Sequence, residues 1–225
     1  MIIVPRVIDI SHHNIVKDMK AMANFGIWGV IHKSSQGKAY LDPDYPVRRK
    51  QAAALGLLWG AYHFNTGDDV KLQISNFMSA AQPDDKTLMV LDFEDNRLSN
   101  MSVHQAVDFL HQIEARLGRK AVIYSGNRLK ETINTLSPSD RTYVLSHRLW
   151  LCQYGPHAVM PPGFSKYWLW QYTGDGVGLP PHNVPGVVAG NAGVDLNIFD
   201  GTREQLAASW SGAVNNTVEI GRAHV

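Results

Sequence analysis

The clearest chemical signal in the sequence is a pair of acids two residues apart at the end of an apolar run. Asp92-Phe93-Glu94 follows Leu88-Met89-Val90-Leu91. Residues i and i+2 of a strand point to the same face, so both carboxyls address one space. Close carboxylates repel and lose hydration, so stability alone disfavours the pair. A metal, a basic partner, a shared proton or a catalytic role must compensate. In a glycosidase one carboxyl, kept protonated by burial and by its neighbour, protonates the leaving oxygen. The other stays ionised and supports positive charge at the sugar. Spacing alone does not decide between retention and inversion.

The elements that must position these acids read as follows. Eight apolar segments rich in β-branched or aromatic residues predict strands at residues 6–11, 29–34, 57–64, 87–94, 120–125, 148–154, 167–172 and 194–199. Most are continuous apolar runs, which suits a parallel sheet buried on both faces. Helical spacing and capping signals predict helices at 15–25, 44–55, 68–81, 102–117 and 127–136, the last stopping before Ser137-Pro138. Residues 155–166 and 173–193 are too rich in Pro and Gly for crossover helices. The count is five βα units followed by three strands with few or no helices between them, an irregular TIM-like α/β barrel. Residues 202–210 predict a final surface helix. We read residues 1–210 as a single catalytic domain and 211–225 as a frayed or appended tail.

In parallel barrels the loops after the strands gather at one end and build the site. Asp9, Asp195 and the Asp92–Glu94 pair fall at three such ends. Taken singly, Asp9 or Asp195 also reads as a helix N-cap. Lys33, Tyr62, Tyr124, Tyr154, Gln153, Gln171 and Asn197 fall at further strand ends, and Trp150, Trp168 and Trp170 offer faces for stacking on sugars. Neighbouring strand residues point to opposite faces, so His12-His13 makes a poor metal pair. His63 reads as a satisfied pocket-wall histidine, and Asp95 as a cap or a solvent-facing acid. Cys152, the single cysteine, sits in an apolar run and reads as a small buried side chain. We expect neither metal nor cofactor.

Six stretches together resemble glycoside hydrolase family 25, the Chalaropsis-type lysozymes. They are Ile8-Asp9-Ile10-Ser11-His12-His13-Asn14, Lys33-Ser34-Ser35-Gln36-Gly37, Gly60-Ala61-Tyr62-His63-Phe64, Leu91-Asp92-Phe93-Glu94, Trp168-Leu169-Trp170-Gln171-Tyr172 and Gly193-Val194-Asp195-Leu196-Asn197. The likeness runs from about Val7 to Phe199. It departs at Asn14, where the family usually has Gln, and at Ser34, Ser35 and Gln36, where Ala, Thr and Glu are usual. The resemblance implies a barrel of five βα units and three further strands. It also implies an enzyme that cleaves the β-1,4 bond after N-acetylmuramic acid in peptidoglycan. By position it implies Glu94 as general acid/base and Asp92 as the acid that orients the substrate's 2-acetamido group, with retention. Asp9 and Asp195 match two further pocket acids, and Lys33, Tyr62, Tyr124 and Gln171 match pocket-lining groups. A non-catalytic glycan-binding barrel and a chitinase-like glycosidase are the alternatives.

Bulk properties narrow the partners. Among 225 residues, 21 Lys and Arg balance 20 Asp and Glu, so no basic excess points to nucleic acid. No apolar run approaches the roughly 20 residues that span a bilayer. We expect a monomer acting on glycan strands of the bacterial wall. No signal peptide is visible, which implies cytoplasmic accumulation with phage-type release, or secretion by another route.

Overall fold

The computed structural model describes residues 3–97, 99–188 and 193–212. Eight strands close a barrel: β1 (Val7–Ile10), β2 (Gly29–Gln36), β3 (Leu58–Phe64), β4 (Leu88–Asp92), β5 (Val122–Ser125), β6 (Leu149–Cys152), β7 (Leu169–Gly174) and β8 (Asp195–Ile198). Pairing is parallel from β1 through β7. The eighth strand runs antiparallel to both β7 and β1 and closes the ring. It departs from the parallel direction that suits the other strands of the irregular barrel. With no crossover helix on its described approach, the chain comes back along the barrel in the opposite direction.

Helices α1 (Met19–Phe25), α2 (Tyr45–Ala54), α3 (Val70–Ala81) and α4 (Val103–Leu117) follow β1 to β4 in turn. The α4 start shows how local sequence sets an end. Ser102 Oγ accepts from Gln105 N at 3.2 Å, and Gln105 Oε1 accepts from Ser102 N at 2.9 Å. After β5 come α5 (Asn127–Thr132), a 3-10 turn (Ile133–Thr135) and α6 (Pro138–Leu145), where one helix was expected. Ser137-Pro138 does not stop the helical region but starts α6. Ser137 caps Asp140 N, and proline fits the first turn because its missing N–H would have no partner there. The first predicted helix is also shortened. Ile15–Val16 pairs with Val187–Val188 as a two-stranded ribbon, and α1 begins after the cap Asp18.

Alternation along the strands divides the apolar residues into two layers. Ile8, Val30, Met89, Leu91, Ile123, Leu151 and Tyr172 pack outward with the helices. Val7, Ile31, Leu88, Val90, Val122, Tyr124, Trp150 and Leu169 fill the barrel. Two positions further along several strands the inward residue turns polar, giving Asp9, Lys33, Asp92 and Gln171. The barrel therefore has an apolar floor and a polar mouth.

The last helix, α7 (Arg203–Trp210), is the surface element expected, and its inner face covers the floor, with Leu206 fully buried and Trp210 only 1% exposed. Trp210 Nε1 donates to Trp59 O at 2.8 Å. A side chain at Gly29 would meet Trp210 Cη2 at 2.8 Å, so the absent Cβ makes room for the indole. The predicted tail lies outside the described residues from 213 onward. Trp210→Ala should cost roughly 3–5 kcal/mol, as for a fully buried aromatic, and is checked by denaturant unfolding.

Candidate active site

Nine residues singled out in the sequence line one cavity of about 130 Å³ at the mouth: Asp9, Lys33, Tyr62, Asp92, Glu94, Tyr124, Trp150, Gln171 and Asp195. Strand register explains the convergence. Asp9 and Asp195 are opposite partners across the β1–β8 pair. Asp92 stands between Phe64 of β3 and Tyr124 of β5. Asp195 is the first residue of β8, not its last. It reaches the same end as the others because β8 runs the other way. Glu94 lies just past β4, where Phe93 N continues the ladder to Tyr124 O at 2.8 Å.

A web of neutral donors holds Asp9. Gln171 Nε2 lies 3.0 and 3.1 Å from its two oxygens, and Asn197 Nδ2 lies 2.7 Å from Oδ2. Those amides are themselves oriented. Tyr124 OH and Tyr154 OH donate to Gln171 Oε1 at 2.8 and 3.2 Å. Trp150 Nε1 donates to Asn197 Oδ1 at 2.6 Å. Trp150 is 2% exposed and braces the cavity wall. A Cβ at Gly174 would come within 2.5 Å of Asp195 Oδ1 and closer still to the Tyr154 hydroxyl. Glycine at the end of β7 therefore leaves room for both.

The acids differ in how firmly they hold a proton. Burial raises Asp9 to about 6, while the hydrogen bonds from Asn197 and Gln171 pull it back. Burial, then the charge of Asp9, lifts Glu94 to about 7. Burial, then Asp9, Asp175 and Glu94, lifts Asp195 to about 8. Asp92 is pushed well above the carboxylate range by burial and by Glu94, with Lys33 opposing. Its Oδ1 is buried and has no hydrogen-bond partner among the described residues. Lys33 is tethered by Nζ to Gln36 Oε1 at 2.6 Å and lies 4.8 Å from the Phe64 ring centre.

Asn65, which the sequence reading passed over, fixes the segment that carries Glu94. It is fully buried, and its Nδ2 donates to the carbonyls of Asp92 at 2.8 Å and Glu94 at 2.9 Å. Its Oδ1 accepts from Met101 N at 3.1 Å. Ser125 Oγ adds a bond to Phe93 O at 2.6 Å. Asn65 follows β3 directly, and that position was its one available signal. Ser11, His13 and Phe64 also line the cavity and were not among the expected site residues. Ser11, two residues beyond Asp9, is legible from the sequence as a residue of the same strand end.

Other expectations are corrected. The rings of His12 and His13 are 3.9 Å apart, not on opposite faces, because β1 ends at Ile10 and its alternation ends with it. His12 is held by Asp42 at 2.9 Å. His63 is not a pocket wall. It faces the helices, bonded to Ser35 and Gln73 and stacked on Phe109. Asp95 faces solvent as expected and pairs there with Arg128 at 3.1 Å. Burial pushes the Cys152 thiol up to about 12.

The sequence model of glycosyl hydrolases family 25 matches residues 8–179. The chain belongs to this family. Lysozyme M1 of Streptomyces globisporus is 28% identical over 225 residues, spanning 93% of this chain and 71% of that protein. The bacterial lysozyme from Streptomyces coelicolor superposes with a TM-score of 0.74 at 27% identity, covering 91% of this chain and 95% of that one. A muramidase from Trichobolus zukalii gives 0.73 at 25% identity, covering 94% and 100%. The family 25 chain described here is thus a glycoside hydrolase of the lysozyme type with a TIM-like barrel. No helix among the described residues is long and apolar enough to cross a membrane.

Two expected outcomes follow from this geometry. Asn65→Ala leaves a buried carbonyl unpaired, which costs about 1–3 kcal/mol. It should lower kcat more than it changes KM, read by thermal unfolding and steady-state kinetics. Glu94→Gln should stabilise the fold as pH rises from 4.5 towards 7. In that window the unfolded wild type gives up its Glu94 proton before the folded one does, so the wild type loses stability that glutamine keeps. The gap in unfolding free energy should widen by roughly 1–3 kcal/mol between those limits. A gap independent of pH would count against a buried, protonated Glu94.

Proposed function

We propose that this domain is an N-acetylmuramidase of peptidoglycan. It hydrolyses the β-1,4 bond between N-acetylmuramic acid and N-acetylglucosamine, with residues 1–210 as one catalytic unit. The observation that carries the reading is Glu94, raised to about 7 at the cavity edge, beside a buried Asp92 oxygen that lacks a partner. A general acid works best with a pKa near the working pH. An unpaired buried acceptor suits the N–H of a 2-acetamido group.

In the first step Glu94 gives its proton to the glycosidic oxygen as the bond to the anomeric carbon breaks. The acetamido carbonyl oxygen, aligned through its N–H on Asp92, bonds to that carbon from the opposite face. Glu94, now a carboxylate, takes a proton from water, whose oxygen displaces the acetamido oxygen. The two inversions give net retention. Asp9 supplies negative charge beneath the developing oxocarbenium, with Asp195 opposite it across the β1–β8 pair. Gln171, oriented by Tyr124, orders Asp9; Lys33 and Tyr62 line the cavity against the substrate; and Trp150 braces Asn197 behind them.

The substrate lies in the bacterial wall, so the protein acts outside the membrane, reached by phage-type release or another secretion route. It works as a monomer, without metal or cofactor.

Purified protein incubated with cell walls should release new reducing ends at muramic acid, with the β anomer formed first by NMR. Activity should fall as pH rises through about 7, where Glu94 loses its proton. Glu94→Gln should reduce turnover by roughly 10²–10⁴-fold. Unchanged cleavage by that variant, or preference for chitin over wall glycan, would sink the assignment.

A further inference from the structure

The barrel is polarised by charge. Four carboxyl groups meet at the mouth. At the other end, basic residues stand just before four consecutive strands: Lys86 before β4, Lys120 before β5, Arg148 before β6 and Lys166 before β7. Neighbouring strands lie about 4.8 Å apart, so these residues form an arc around the floor. Among the described residues none of the four has a carboxylate within 4 Å, whereas Lys38, Arg48 and Arg128 on the mouth side each do.

Arg148 and Lys166 also line a hollow of about 920 Å³ on this face, between residues 155–166 and α7. Its walls are firmly built. Gly163 has φ +93°, and a Cβ there would meet Leu145 Cδ1 at 2.8 Å, so glycine lets its loop seat closely on α6. Trp168 Nε1 donates to Ser209 Oγ at 2.9 Å, and its ring centre lies 4.8 Å from Arg148 Cζ. Arg148 Nη1 donates to the carbonyls of Ser209 and Trp210, which holds the cation in place, while Nη2 is buried without a partner. Burial, then the charge of Arg119, draws Arg148 down to about 10. Lys120 Nζ donates to Ser146 Oγ on the rim at 2.6 Å. The carboxylate that lines the hollow, Asp200, accepts from Tyr167 OH at 2.5 Å.

We propose that this floor face is a second, non-catalytic site for an anionic polymer, a phosphodiester-linked polyol chain of the kind that accompanies peptidoglycan in bacterial walls. The kind of partner rests on the muramidase reading; the basic surface does not. Guanidinium and ammonium groups suit phosphate oxygens. A chain with a charge on every repeat meets several cations of the arc at once, which a lone carboxylate does not. Phe164, Trp168 and Phe199 in the hollow give its carbon backbone an apolar bed. A membrane surface is flat, whereas the hollow is recessed between a loop and a helix, which favours a flexible chain. The mouth, with four carboxyl groups set against Lys33, offers the polymer no such surface. The two ends of the barrel thus take different wall components, and the floor holds the wall while the mouth stays open to glycan.

The test uses the full chain and a synthetic glycerol-phosphate decamer. NMR titration should shift the amide signals of Ser146, Arg148, Ser165 and Lys166 and leave those of Gly37 and Asn127 in place. Affinity should fall about tenfold between roughly 50 and 200 mM salt, as cations of the medium compete for the phosphates. Lys120 is half-buried and Lys166 exposed, so both tolerate substitution. Lys120→Glu combined with Lys166→Glu should weaken binding roughly tenfold or more. It should leave the thermal midpoint and the turnover of polymer-free peptidoglycan unchanged. Shifts centred on the mouth, an unchanged affinity in the variant, or tighter binding to phosphatidylglycerol vesicles than to the decamer overturns the inference. Polymer-free walls separate the two levels. If wild type cleaves them and the decamer does not bind, only the floor site falls. If the decamer binds at the floor and those walls are not cleaved, the muramidase reading falls and the polyanion site stands.

Discussion

The hydrogen bonds to Asp9 are the interaction around which the site is built. Four carboxyl groups share one small cavity, and all four have their pKa raised by burial. Such a group survives if one member is stabilised as an anion and the others keep protons. Gln171 and Asn197 do this for Asp9, each with its amide oriented by a Tyr or Trp donor. Burial lifts Glu94 and Asp195, and the negative charge held in place at Asp9 lifts them further. Proton affinities thus come from position among interacting groups, not from residue type.

The scaffold meets this demand through its irregular last third. A parallel β8 would carry Asp195 to the floor. Running antiparallel, it sets Asp195 against Asp9 at the mouth and brings Asn197 inward behind it. The floor is sealed separately by α7 and Trp210. The mouth can therefore hold buried charge while the apolar interior beneath it, from Val7 to Leu169, supplies the hydrophobic stabilisation. Asn65 and Ser125 then tie Glu94's segment to β3 and β5. Glu94 sits past the last strand residue, yet its segment is tied to the sheet through these side chains.

Much of this was legible in the linear chain. Period-two alternation and breaker residues locate the strands, because a buried strand needs an apolar run whatever its neighbours. The acids at the ends of those runs, and the likeness carried by six short motifs, indicate a glycosidase site. Signals were misread or left open where local rules admit two outcomes. Ser137-Pro138 suits a helix start as well as a stop. Residues 203–210 have a helix pattern that does not say what their apolar face covers.

The sequence by itself determined the element types, the strand ends that bear chemistry, and the family, since these depend on local patterning. Tertiary structure decided the rest. The direction of β8, the seating of Leu206 and Trp210 of α7 on the floor and the partnership of Asn65 with Glu94 each join residues far apart in the chain. So do the proton affinities, because burial and the field of neighbouring charges exist only once the barrel closes. Asp92-Phe93-Glu94 announces two acids on one face. How firmly each keeps its proton is set by burial and then by neighbouring charges, among them Asp9, more than eighty residues away in sequence.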